Sequence, residues 1–87
     1  MLFKKKGLFT VSDAMKVIEI ASRENAKEII VMCEAIEEEA KRRLWDYANG
    51  IRLMADLMGK QREVRVEILE GYVSDKVKGI DLSEVSQ

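Results

Sequence analysis

Apolar residues recur through the middle of this chain at close to helical spacing. Ile29, Cys33, Ile36, Ala40, Leu44, Tyr47, Ile51, Ala55 and Met58 lie three or four residues apart, in the order 4, 3, 4, 4, 3, 4, 4, 3, and Met32 and Met54 broaden the stripe. Spacing of this kind marks one face of a helix. The period is eleven residues, about 3.67 per turn, which points to a nearly straight helix rather than a heptad coiled coil. The pattern predicts one long amphipathic helix over about residues 26–58. Asn25-Ala26-Lys27-Glu28 offers a start, with a capping residue followed three positions later by Glu. Glu37–Lys41, Glu38–Arg42 and Glu39–Arg43 are three i,i+4 pairs with the acid on the N-terminal side. Such pairs add roughly 0.2–0.5 kcal/mol each to a helix. Asn49-Gly50 would suit a helix end, but the stripe keeps its phase through Ile51, Ala55 and Met58, so the helix is expected to continue.

The flanks carry weaker patterns. Leu8-Phe9-Thr10-Val11 has strand propensity. Ser12 then reads as an N-cap with Asp13 in the first turn, and Ala14, Met15, Ile18 and Ala21 give a short helix ending near residue 23. Gly59-Lys60-Gln61 marks the next stop. Val64, Val66 and Ile68 alternate with polar neighbours, so about 63–69 reads as a half-buried strand. A lone strand needs a neighbour, and the segment around Leu8 to Val11 is the candidate. Residues 74–87 are polar with isolated apolar positions and read as a weakly docked or disordered tail. The fold expected is therefore mainly α, in one domain over 1–87: a short helix and a long one in a helical-bundle or coiled-coil-like oligomer, with a small β element.

Size turns this pattern into an argument about partners. A helix over 26–58 would be about 50 Å long, whereas a compact chain of 87 residues is roughly 30 Å across. The stripe Ile29, Met32, Cys33, Ile36, Ala40, Leu44, Tyr47, Ile51, Met54 and Met58 would then lie uncovered. A homodimer or higher oligomer is the economical cover. The single cysteine excludes an internal disulfide, and the absence of histidine makes a zinc site of the usual kind a poor fit. Trp45 falls on the back of the predicted helix with Arg42 and Arg52, which makes those three a candidate second contact face.

Candidate chemistry is sparse. Without histidine, and with Glu37, Glu38 and Glu39 pointing in different directions around a helix, no acid–base or metal cluster forms. No glycine-rich phosphate loop is present. The reading is a non-enzymatic protein that needs no cofactor and acts through protein–protein contacts as a regulator, adaptor or assembly component. Lys4, Lys5 and Lys6 beside Phe3 and Phe9 support the alternative, a small nucleic-acid-binding regulator with a basic arm. The near balance of 15 basic and 16 acidic residues argues against a chain-wide polyanion-binding surface. No apolar run is long enough to span a bilayer, and the stretch after the lysines is too short for a signal peptide. A cytoplasmic protein without stable membrane insertion is expected.

Overall fold

The computed structural model describes residues 1–83. Its elements run β1 (Leu2–Phe9), α1 (Val11–Arg23), β2 (Glu28–Ile36), α2 (Glu38–Leu57), β3 (Arg65–Glu70) and β4 (Ile80–Asp81). The strands form one parallel sheet in the order β3-β2-β1-β4. The chain is thus an α/β fold. The mainly α, coiled-coil-like architecture that the spacing predicts is incorrect.

The long helix over 26–58 does not exist, because its first third is the strand β2. The helical series found its members inside the run Ile29-Ile30-Val31-Met32-Cys33, which is apolar at every position. In such a run any spacing succeeds, including three and four. A continuous run rich in β-branched residues is what a strand covered on both faces looks like. Asn25 is not an N-cap. It is the left-handed residue that ends α1, with φ of 53°. The Ala26 N–H bonds the Ala21 carbonyl at 2.9 Å and the Asn25 N–H bonds that of Ser22 at 3.3 Å, which is a Schellman closure. The N-cap of α1 is Thr10 rather than Ser12, in a capping box whose Asp13 carboxylate accepts the Thr10 N–H at 2.8 Å.

Helix α2 begins at the acidic run and passes through Asn49-Gly50 without interruption. At its far end Gly59 takes φ of +68°, and the Lys60 N–H closes on the Ala55 carbonyl at 2.8 Å. Glycine adopts that conformation without the steric cost other residues carry. Of the three expected ion pairs Glu39–Arg43 forms, at 3.2 Å, while Lys41 and Arg42 reach back three residues to Glu38 and Glu39.

Strand β3 lies beside β2, not beside the N-terminal segment as the sequence suggested. Register fixes the faces. Lys5, Cys33 and Glu70 are neighbours across three strands. Lys5 pairs with Asp13 of α1 and Glu70 with Lys41 of α2, so this row faces the helices. Phe3, Val31 and Ile68 share that face, as do Ile29 and Val66. Both crossovers step the same way across the sheet, and the right-handed rule then places both helices on one side, where α1 and α2 pack together. The fully buried centre is Phe3, Phe9, Val17, Ile29, Val31, Cys33 and Leu44.

The far face is covered by the return segment from β3 to β4. The Lys4 ammonium donates to the Ser74 carbonyl at 3.2 Å, and the Ser74 N–H meets the Met32 sulfur at 3.3 Å. A side chain at Gly79 would collide with that of Leu2 and sit 2.9 Å from its carbonyl oxygen, so glycine there lets β4 approach β1. The expected loose tail is therefore docked as far as Leu82, which is buried. Its remainder, 84–87, lies outside the described residues.

Candidate functional site

The carboxyl ends of parallel strands are where α/β folds commonly hold ligands. In this chain the polar groups there are occupied by one another. The Asp13 carboxylate is buried and accepts from the Thr10 N–H, the Thr10 hydroxyl and, at 3.2 Å, the Lys5 ammonium. Glu37, the N-cap residue of α2, caps the neighbouring helix instead, accepting the Val11 N–H at 2.9 Å. Glu34 accepts the Gly7 N–H at 2.7 Å where β1 carries one extra residue against β2. No group of three or more histidine, cysteine, aspartate or glutamate side chains converges for a metal among the described residues.

Cys33 is buried against the helices, and loss of hydration pushes its thiol above the ordinary range, with Glu70 adding to the effect. A protonated buried thiol is a packing residue rather than a nucleophile. The Tyr47 hydroxyl is buried with no hydrogen-bond partner among the described residues.

The three N-terminal lysines do not form one patch. Lys5 turns under α1 to Asp13, Lys4 turns to the far face and Ser74, and Lys6 pairs with Asp75 at 3.2 Å. That hydrogen bond to Asp75 also raises the pKa of Lys6. Alternation along a strand separates neighbours that would gather on a flexible arm.

The residues expected at an oligomer interface divide sharply. Ile29, Met32, Cys33 and Ile36 belong to β2, and with Ala40 and Leu44 they are buried inside this chain. Tyr47 and Ile51 are half-buried. Met54 and Met58 are 60% and 63% exposed, and beside them Leu53 and Leu57 reach 61% and 81%. Helix lengths explain the division. The two helices start level, as the Val11–Glu37 bond shows. α1 has 13 residues and α2 has 20, so α2 outruns α1 by about 10 Å. Ala55, on the side facing the fold, stays buried, while Met54, Leu57 and Met58 lie toward the flank that α1 no longer covers and Leu53 points away from the fold. Leu53 and Leu57 fall outside the three-four series and are visible in the sequence only as off-stripe leucines.

Trp45 is 45% exposed on the opposite flank of α2, above the outer edge of the sheet. It lines two adjoining clefts of about 260 and 360 Å³ between α2 and β3. The first includes Arg52, Val64 and Arg65, and the second Lys41, Glu67 and Ile68; Val66 lines both. Arg52 thus joins Trp45 as expected. Arg42 lies in a shallow cleft further round the helix, with Glu39 and Trp45.

No helix among the described residues is long and apolar enough to cross a membrane. Comparison with models of protein families, with curated proteins and with solved structures returns no match.

Proposed function

We propose that this protein is a self-associating protein–protein interaction module of the cytoplasm, without catalytic activity of its own. The observation that carries the reading is the uncovered end of α2, where Leu53, Met54, Leu57 and Met58 are 60–81% exposed within its last turn and a half. Large apolar side chains fully buried are worth about 1.5–3 kcal/mol each, corresponding to on the order of 100 Å² of apolar surface. Two copies joined through this end would remove on the order of 800 Å² from these side chains alone. With the half-buried Tyr47 and Ile51 beside them, the pair approaches the ~1,000 Å² of specific interfaces. A second copy suits the patch because a two-fold contact needs only one apolar surface that matches itself. The internal pairing of Asp13, Lys5 and Glu37 supports the non-catalytic reading.

Sedimentation equilibrium at micromolar concentration tests the proposal. The wild-type chain is expected to show a mean mass above that of one copy. The double variant Met54→Glu with Leu57→Glu is expected to lower that mass while keeping the same circular dichroism and urea midpoint at low concentration. A wild-type monomer throughout the micromolar range, or an unchanged mass in the double variant, overturns it.

A further inference from the structure

The outer edge of β3 is open, and it matches itself. The Arg65 N–H bonds the Lys27 carbonyl and the Gly71 N–H bonds that of Cys33. Odd-numbered residues of β3 therefore turn their backbone groups inward to β2. Val66, Ile68 and Glu70 present theirs outward, and none of these N–H groups bonds outside the sheet ladder among the described residues. Exposed edges are commonly guarded by proline, a bulge or a row of like charges. The chain has no proline, the β2–β3 register is unbroken from Arg65 to Glu70, and the charges along the edge are of both signs, Arg65 followed by Glu67 and Glu70.

Register decides what fits. In antiparallel pairing across a two-fold axis, opposed residues share a face. Helices on one side then require a register centred on a single residue. Centred on Val66, the outward backbone groups of the two Val66 residues bond each other. Val64 opposes Ile68 of the second copy, and Arg65 opposes Glu67 twice. Centred on Glu67, two glutamates would face each other, and like charges directly opposite destabilise a strand pair. On the helix side, Val64, Val66 and Ile68 of the incoming strand would lie against Trp45, which already lines the clefts above this edge.

We infer that the β3 edge is a second self-association surface, on which two copies join their sheets antiparallel about Val66 with reciprocal Arg65–Glu67 pairs and Trp45 as the apolar cover. It is separate from the exposed end of α2, which lies on the other flank of that helix.

Trp45 is the only tryptophan, so its emission reports this surface directly. The experiment uses the full chain carrying Met54→Glu and Leu57→Glu, which removes the α2 contact. Raising its concentration from nanomolar to high micromolar is expected to shift the emission to the blue, in step with dimer formation by sedimentation. Adding Arg65→Glu, or adding Glu67→Arg, is expected to weaken this dimer about tenfold, because each sets two like-charged pairs face to face. Adding both together restores the pairs in reversed order and is expected to restore the dimer. A fold defect would not be rescued that way, and circular dichroism of each variant checks the fold. Emission that does not change with concentration overturns the inference, as does a double swap no better than the single changes. A shift driven only by an added extended peptide, with the chain alone monomeric, also overturns it and assigns the edge to another occupant.

Discussion

The first half of α2 and its last turn and a half follow a single apolar stripe but meet different surroundings. Ala40, Leu44 and Ala48 are 0–6% exposed because the sheet lies beneath them and α1 beside them. Met54 and Met58 continue the stripe and are 60% and 63% exposed where α1 has ended, and the off-stripe Leu53 and Leu57 beside them are 61% and 81% exposed. An apolar stripe thus records that something covers a helix face, without recording whether the cover is the same chain. The chain's own fold covers one half and leaves the other exposed, which is the half the proposed self-association would cover.

Mutations can separate the two halves. Leu44→Ala leaves a cavity where nothing collapses easily and is expected to cost about 2–5 kcal/mol in urea unfolding. The same variant is expected to speed labelling of Cys33, whose buried thiol reacts only when this half opens. If Leu44→Ala costs no more than an exposed position, the contrast fails. Gly59→Ala is expected to cost about 1–2 kcal/mol, since alanine must take φ of +68° to close the helix. Leu57→Ala is expected to change unfolding of the dilute, monomeric chain by under about 0.5 kcal/mol while weakening self-association. A large loss of monomer stability there would show that the flank is covered within one chain.

The smallest effect concerns the start of α2. A hydrogen bond from Arg43, with Arg42 nearby, holds the Glu39 carboxyl below the usual carboxylate range. A carboxyl depressed in the folded chain stabilises above its unfolded pKa, and that contribution disappears as pH falls through the folded value. In an NMR titration Glu39 is expected to protonate at lower pH than an ordinary glutamate, and Arg43→Ala to raise its midpoint. Glu39 is solvent-exposed, so global stability is expected to change little.

Much of the local structure was legible. The body of the helix expected over about 26–58, its passage through Gly50 and its end near Met58 match α2, and the strand expected over about 63–69 matches β3, while the helix start does not match. Trp45 stands outside the apolar series and lies 45% exposed beside β3. The misreading lay between Asn25 and Ile36. There a dense apolar run satisfied both periods, and Asn25, which suits either a helix start or a left-handed helix end, was assigned to the start. The lysines were misleading for a related reason. Adjacent in sequence, they alternate across a strand, and each finds an acceptor from a distant segment.

By itself the sequence determined the type of element where one period excluded the other, as over α1, the body of α2 and β3. It also fixed the side chains available for chemistry, with no histidine and one cysteine among them. Only the tertiary structure decided which apolar residues stay uncovered. Coverage depends on the relative lengths of α1 and α2 and on which strand lies at the edge of the sheet. Those are relations between segments far apart in the chain, and no local spacing encodes them.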